Sequence, residues 1–232
     1  MPVLYVLSGG AAAGLIATVK PQFKTQTGFD IEGEFGAVGV MKERLLAGAP
    51  CDVLILTEAL IAQLTQSGQV KAGGATPLGL VMTGVAVKAG EPVVPDVSTP
   101  EALKSALLAA KGIYFPDPVK ATAGIHFFKV LQQLGIDAEL TSRLRPFPNG
   151  ATAMREMAVC AEPNLIGCTQ VTEILYTPGV QLISDLPKAF ELATVYTAGV
   201  ASGTQQAEAA TTLMDLLTSR AMAAQRKAAG FI

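Results

Sequence analysis

The chain has 232 residues, a mass of 23.9 kDa and a formal net charge of −2, with 50% hydrophobic and 16% charged residues. This composition indicates a globular protein that is long enough for two domains of ordinary size. The sequence has no Trp and no basic run, so we expect no nucleic-acid partner. It also has no apolar stretch of the roughly 18 residues that a membrane span requires, and we expect no such span.

Strand-like apolar runs alternate with helical patterns along the first third of the chain. The predicted strands cover 3–7, 29–35 and 52–56, and the predicted helices cover 11–27, 38–47 and 58–67. Gly28, Gly48 and Gly68 follow these helices, as glycine commonly does at a helix C-terminus. The βαβαβα order indicates a mainly parallel sheet with helices on its faces.

Two longer strand-like runs, over 78–87 and 192–200, enclose the middle of the chain. Between them we predict helices over 99–110, 122–134 and 152–161, and strands over 112–115, 165–168 and 180–183. After the second run, a helix over 204–229 closes the sequence.

The two long runs predict an α/β protein with two lobes that the chain connects twice. The first lobe comprises residues 1–82 and 194–232, the second comprises residues 83–193, and each is a mainly parallel sheet flanked by helices. Ligands of open α/β sheets bind beyond the carboxyl ends of the strands. We therefore expect the ligand in the cleft between the lobes.

Three loops, over residues 7–14, 35–39 and 117–124, lead into the predicted start of a helix. A helix start with small residues around it presents free backbone N–H groups and a partial positive charge, which suits an anion. Three such loops predict a protein that binds a small anion.

Several motifs occur in a fixed order along the chain: Phe35-Gly-Ala-Val-Gly, Gly48-Ala-Pro-Cys-Asp-Val-Leu-Ile-Leu, Ala123-Gly-Ile-His, Leu131-Gln-Gln-Leu-Gly and Ala228-Ala-Gly-Phe. In this order they resemble the periplasmic molybdate-binding family of extracellular solute-binding proteins. The resemblance implies the type II periplasmic-binding fold, in which two α/β lobes close around one anion.

The molybdate pocket of that family uses a Ser in each of the first two loops, backbone N–H groups in the next two, and a Tyr. The resemblance places Ala11 and the 36–38 loop at the two Ser positions, Ala123 and Gly150 at the backbone positions, and Gln170 at the Tyr. This sequence can therefore supply the backbone N–H donors of that pocket, but it has no hydroxyl side chain at the two Ser positions or at the Tyr position.

Further motifs resemble a branch of the same family, the aconitate isomerases: Ser8-Gly-Gly-Ala-Ala-Ala, Gln170-Val-Thr-Glu-Ile-Leu, Thr177-Pro-Gly-Val and Val195-Tyr-Thr-Ala-Gly. This resemblance implies a polycarboxylate ligand and an intramolecular shift of a C=C bond by allylic proton transfer. Such an isomerase requires no cofactor.

The candidate ligand-binding residues lie in the loops that precede the helices: Ser8, Gly9, Gly10, Ala37, Val38, Lys120, Thr122, Ala123, Gly150 and Gln170. Thr122 can cap its helix while offering N–H groups to an anion. Alternative interpretations stay open for two of the others. Ser8 can be a plain helix N-cap. Lys120 can be a solvated surface lysine, or a point charge for a carboxylate if it faces the ligand.

Two residues are candidates for a catalytic base. His126 is the single histidine, and it lies in the first turn of a predicted helix, where the helix dipole favours the neutral imidazole. It can equally be a core or surface histidine. Glu173 follows the 165–168 strand, where it is either a base or a cap for the segment after it.

The sequence contains no cluster of His and Cys residues with metal-ligand spacing, so we expect no metal site. Cys51, Cys160 and Cys168 have no close pairing, and we expect them to be small buried hydrophobes in a reducing compartment.

Two functions from different classes remain. The first is a cytoplasmic, cofactor-independent isomerase that binds a polycarboxylate; the cytoplasmic location is expected because no leader precedes the first strand. The second is the binding component of an ABC importer for molybdate, another oxyanion or an organic acid, without catalysis. This second function implies an ABC permease as partner and a periplasmic location after removal of a leader.

Overall fold

Alternating strands and helices form two units in the computed structural model, which describes residues 2–232. Unit 1 is Met1–Val81 with Thr194–Ile232, and unit 2 is Met82–Ala193. Each unit has its own buried apolar clusters.

Unit 1 contains both ends of the described chain. Its strands are β1 (Val3–Gly9), β2 (Asp30–Gly36), β3 (Val53–Thr57), the first part of β4 (Val70–Lys88), and β9 (Ala193–Ala201). Its α-helices are α1 (Ala13–Thr27), α2 (Val38–Leu46), α3 (Glu58–Gln66), α9 (Ala207–Thr218) and α10 (Ala223–Ala228). Short 3₁₀ turns over Gly10–Ala12 and Arg220–Met222 precede α1 and α10.

The sheet of unit 1 has the order β2-β1-β3-β9. β1 is parallel to β2 and β3, and β9 is antiparallel to β3. Asp52, just before β3, accepts hydrogen bonds from the Tyr5 N–H at 2.8 Å and from the Thr204 hydroxyl. The N-terminal and C-terminal segments of unit 1 are therefore joined by the pairing of β3 with β9 and by the hydrogen bonds of the Asp52 carboxylate.

Unit 2 contains the rest of β4 and the middle elements of the chain. Its further strands are β5 (Gly112–Pro116), β6 (Leu144–Phe147), β7 (Leu165–Gln170) and β8 (Val180–Asp185). Its α-helices are α4 (Pro100–Ala109), α5 (Thr122–Gln133), α6 (Asp137–Leu140), α7 (Gly150–Val159) and α8 (Val171–Tyr176), with 3₁₀ turns over Thr141–Arg143 and Lys188–Phe190.

The sheet of unit 2 has the order β4-β7-β5-β6, and β8 pairs with β4. β5 is parallel to β6 and β7, whereas β4 is antiparallel to β7 and β8. Phe115 and Phe127 pack edge to face with centroids 5.5 Å apart, which joins β5 to α5. Burial of each such side chain contributes about 1.5–3 kcal/mol. The prediction of mainly parallel sheets flanked by helices is confirmed.

Some predicted bounds were wrong, for local reasons. The helix predicted over 204–229 is interrupted, because Ser219 between α9 and α10 has an extended backbone with φ −55° and ψ 150°. The helix predicted over 152–161 begins earlier, at Gly150, because the Asn149 side chain accepts the Thr152 N–H at 2.8 Å and caps it. The strand predicted from residue 78 begins at Val70.

The elements that sequence reasoning missed are the short ones. α6, β6 and α8 have four, four and six residues, too few for a periodic signal. Of the helices that the structure describes, none combines the length and apolarity needed to cross a bilayer.

Candidate functional site

In unit 1, β1 and β2 end side by side, and each strand leads into a helical turn. Gly9 and Gly36 are register partners in this parallel pair. A Cβ atom on Gly9 would lie 2.8 Å from Val38 Cγ1 and 3.0 Å from Tyr196 Cε1, so glycine is needed for this close approach. The structure thus brings together the predicted ligand-binding residues of this unit: Ser8, Gly9, Gly10, Ala37 and Val38.

Ser8 is a fully buried residue of β1 rather than a helix cap. Its hydroxyl donates a hydrogen bond to the carbonyl oxygen of Gly9 at 2.8 Å. Gly9 itself is the N-cap of the 3₁₀ turn that precedes α1. The N-cap interpretation of Ser8 was therefore wrong, and contact between Ser8 and a ligand stays a prediction.

The start of α2 differs from that of α3, although both helices follow strands of the same parallel group. In α3, the Thr57 hydroxyl caps the helix by accepting the Leu60 N–H at 3.4 Å, and Glu58 adds a negative charge in the first turn. In α2, within the described chain, Ala37 forms no side-chain cap and the first turn has no acidic residue. The amides at the start of α2 are therefore suited to an external anion.

In unit 2, the loop after β5 is folded around Asp117 and leads to α5. The Asp117 Oδ1 atom accepts the N–H groups of Val119 at 2.7 Å and Lys120 at 2.9 Å. The Lys120 side chain is exposed. A Cβ atom on Gly124 would lie 2.2 Å from the Pro116 carbonyl oxygen, so glycine lets the start of α5 rest on the end of β5.

α5 begins without a side-chain cap among residues 2–232, and its first turn has no acidic residue. Its N-cap is Ala121, and Thr122 is its first helical residue. The prediction that Thr122 caps α5 was therefore wrong. Contacts of Lys120, Thr122 and Ala123 with a ligand stay predictions, and the uncapped start of α5 has the same suitability for an anion as that of α2.

Gln170 is the last residue of β7 and the N-cap of α8, and it is 3% exposed. Neither the oxygen nor the nitrogen of its side-chain amide has a hydrogen-bond partner in the part of the chain that the structure covers. A buried amide without partners is uncommon in native proteins. Contact between Gln170 and a ligand, which its family position implies, stays a prediction.

The Glu173 carboxylate lies at the starts of α7 and α8. Its Oε2 atom accepts the Thr169 hydroxyl at 2.5 Å, and a Cβ atom on Gly150 would lie 2.1 Å from the same oxygen. Burial raises the pKa of Glu173, while the Thr169 hydroxyl and the backbone amides of Ala151, Gln170 and Gly150 lower it in part.

These contacts favour a structural role for Glu173, whose carboxyl group accepts hydrogen bonds at two helix starts. The sequence left open that Glu173 is a cap for the segment that follows β7. In the structure its carboxyl group lies at the start of α7 as well as at the start of α8. A ligand at the Gly150 amide would compete with the Glu173 carboxyl group, which already lies there. Ligand contact by Gly150 and catalysis by Glu173 stay predictions.

His126 lies one turn inside α5 and is half-buried. Its Nε2 atom is 2.7 Å from the carbonyl oxygen of Phe190, at the end of the 3₁₀ turn Lys188–Phe190. Since a carbonyl only accepts hydrogen bonds, this contact assigns the proton to Nε2 and leaves the lone pair of the neutral ring on Nδ1. Such a fixed tautomer is suitable for a base.

Thr83 and Thr172 are polar residues that sequence reasoning missed. Thr83 lies inside a long apolar run and Thr172 in a helix too short to predict, so neither had a visible signal. Both are buried, and their hydroxyls have no hydrogen-bond partner among residues 2–232. The described residues contain no group of three or more His, Cys, Asp or Glu side chains that could hold a metal ion.

The three cysteines are free and differ in environment. Cys168 is fully buried, as expected, but Cys51 and Cys160 are only partly buried. Burial raises the pKa of Cys168, and it raises that of Cys51 to about 12. A hydrogen bond from Tyr114, helped by the Glu162 amide, lowers the pKa of Cys160.

We expect iodoacetamide to modify Cys160 at least about 100-fold faster than Cys51 or Cys168 in the folded protein near neutral pH, because the thiolate is the reactive form. Peptide mass spectrometry over a time course measures the three rates. Tyr114→Phe should slow the reaction of Cys160, and urea-unfolded protein serves as the control in which the rates converge. Equal rates for the three cysteines in the folded protein would contradict the lowered pKa of Cys160.

The fold is that of the type II periplasmic binding proteins. The periplasmic molybdate-binding protein of Azotobacter vinelandii superposes with a TM-score of 0.79 over 99% of this chain and 98% of its own, at 20% identity. The sulfate-binding protein SubI of Mycobacterium tuberculosis H37Rv superposes with a TM-score of 0.76 over 100% of this chain and 86% of its own, at 17% identity.

The sequence assigns the family. Residues 4–232 match the profile of the bacterial extracellular solute-binding proteins, and the chain belongs to this family. It is also 27% identical, over 223 residues, to an aconitate isomerase from Pseudomonas sp.; the match covers 94% of this chain and 82% of that enzyme. The resemblance stated from the motifs is confirmed.

Proposed function

We propose that this protein binds a small organic polycarboxylate and isomerises it by moving an allylic proton. One observation carries the binding step: within the described chain, α2 and α5 begin without a side-chain cap or an acidic first turn. By contrast, α3 and α4 each have a Thr cap and a Glu in the first turn. The amides of uncapped helix starts are ready donors to carboxylates.

Similarity to the Pseudomonas aconitate isomerase over 94% of the chain supports a polycarboxylate as the ligand. The positions that correspond to the two Ser residues of the molybdate pocket support it as well. Ala11 and Ala37 are both buried there and offer no hydroxyl donor.

The proposed reaction is a proton shift between two carbons. A base removes a proton from the CH₂ group next to the C=C bond, and the electron pair delocalises over the allylic system and its carboxylates. Helix-start amides stabilise this charge, and the proton then returns to the other end of the allylic system. His126 is the proposed base, because its contact with Phe190 leaves Nδ1 as the proton acceptor.

The test is to incubate the protein with trans-aconitate in D₂O and follow cis-aconitate formation by NMR. We expect turnover with deuterium incorporation at the allylic carbon. In His126→Gln, kcat should fall about 10²- to 10⁴-fold, because a general base is lost. The Gln side chain keeps a donor for the Phe190 carbonyl, so the fold and the thermal shift by trans-aconitate should be retained. Unchanged turnover in this variant would contradict the role of His126.

A second function is favoured by the family itself, whose members are described as extracellular solute-binding proteins. In this case the protein delivers an oxyanion or an organic acid to an importer and catalyses nothing. Thermal shifts with molybdate, sulfate and trans-aconitate, measured beside the NMR assay, separate the two functions. Strong stabilisation by one anion without turnover or deuterium exchange would favour transport.

A further inference from the structure

Unit 2 contains a cluster of buried polar groups that the fold leaves without hydrogen bonds. In residues 2–232, partners are lacking for Thr83 Oγ1, Thr172 Oγ1 and both amide atoms of Gln170. Thr83 is 0% exposed, and Thr172 and Gln170 are 3% exposed. Native proteins satisfy nearly all such groups, so these atoms together call for an additional binding partner.

The strand register brings Thr83 and Gln170 together. They are directly opposite in the antiparallel pair of β4 and β7. The Thr83 N–H donates to the Leu192 carbonyl and the Thr83 carbonyl accepts the Leu186 N–H, each at 3.0 Å. The N–H and C=O groups of Thr83 therefore point away from β7, and Thr83 and Gln170 form a non-hydrogen-bonded pair. In such a pair the two side chains share one face, with Cα atoms about 4.5 Å apart.

Thr172 is the third of these residues. It lies two residues after Gln170, in the first turn of α8, and is buried as well. The three residues thus offer two hydroxyls and one amide, which supply several donors and the acceptor Oε1 of Gln170 without any formal charge.

We propose that Thr83 and Thr172, together with Gln170, form an uncharged subsite that binds one carboxylate of the ligand. The Gln170 amide nitrogen and the two hydroxyls donate to the carboxylate oxygens. The identity of the ligand as a polycarboxylate rests on the proposed function. The two threonines are new to the site, since only Gln170 follows from the family motifs.

The test is Thr83→Val, which removes the hydroxyl and keeps the shape. If the hydroxyl serves a ligand, the ligand-free protein loses no hydrogen bond, so its melting temperature should stay equal or rise. The Kd for trans-aconitate, measured by calorimetry, should increase at least about tenfold. Thr172→Val should behave in the same way.

The matched control is Thr177→Val. Thr177 is also buried in unit 2, but its hydroxyl donates to the Glu173 carbonyl at 2.7 Å. This variant should therefore lower the melting temperature and leave the Kd unchanged. The proposal is overturned if Thr83→Val behaves like this control.

Titration with molybdate separates this proposal from the proposed function. If the protein binds molybdate and not trans-aconitate, the polycarboxylate function fails, and the subsite stands only if Thr83→Val weakens molybdate binding. If neither anion binds, the ligand-free melting temperature decides: a decrease in Thr83→Val overturns the subsite, and an equal or higher value supports it.

Discussion

Replacing Gly124 by alanine is expected to destabilise unit 2 by about 3 kcal/mol or more and to abolish anion binding. The added Cβ atom would lie 2.2 Å from the Pro116 carbonyl oxygen and 2.3 Å from that of Asp117. Both contacts are with backbone atoms, so no side-chain rotation relieves them. The start of α5 would have to move away from the end of β5, together with the amides proposed to hold the ligand.

Urea unfolding measures the loss of stability, and calorimetry with trans-aconitate measures the loss of binding. Gly203→Ala is the matched control, because a Cβ atom there meets no heavy atom of the described chain within 4 Å. This control should change the free energy of unfolding by less than about 0.5 kcal/mol. If Gly124→Ala were as stable as Gly203→Ala, the close packing of α5 on β5 would be wrong.

Replacing Glu173 by glutamine is expected to destabilise the protein by about 2 kcal/mol at acid pH. Glutamine substitutes an NH₂ group for one carboxyl oxygen, and this group would face donors. The Thr169 hydroxyl lies at 2.5 Å, and the amides of Gly150 and Ala151 are close to the carboxyl group. The Thr169 hydroxyl can rotate, but the backbone amides cannot.

The pH dependence of this effect has a definite sign. Burial raises the pKa of Glu173 above its ordinary value of 4.5. A group with a raised folded-state pKa contributes stability that is fully present below the unfolded pKa and lost as the pH rises through the folded pKa. The advantage of Glu173 over glutamine should therefore be largest below about pH 4.5 and shrink as the pH rises.

Urea unfolding at several pH values, from about 4 to about 8, measures this trend. Glu156→Gln on the neighbouring helix α7 is the control, because the Glu156 side chain is exposed. It should show no comparable pH-dependent difference. A Glu173 advantage that grew with pH would mean that the surrounding donors outweigh burial, and it would contradict the raised pKa.

The sequence predicted the elements whose signals are local. Glycines with positive φ follow several helices, as at Gly28, Gly48, Gly68 and Gly135, and glycine adopts this conformation without steric cost. Alternation of apolar strands and helices then gave the mainly parallel sheets. From this topology the sequence also predicted that the loops after β1 and β2 lie at the carboxyl ends of strands in the same unit.

The interactions that no local pattern predicts join residues that are far apart in the chain. His126 contacts Phe190, 64 positions away. Thr83 meets Gln170 only through the register of β4 and β7. Glu173 could be assigned as base or cap from its position, but its contact with Gly150 depends on how α7 packs against α8. Such contacts require the three-dimensional arrangement, because the sequence gives residue types and not partners.

The pairing of β3 with β9 has a consequence for the order in which the chain folds during synthesis. The ribosome releases the apolar strand Val53–Thr57 long before its neighbour Ala193–Ala201. Unit 2 lies between them as a continuous segment and can complete its sheet first. Until the last strand emerges, the free edge of β3 is open to pairing with other chains. During this interval of biosynthesis the unpaired edge of β3 therefore exposes the protein to aggregation.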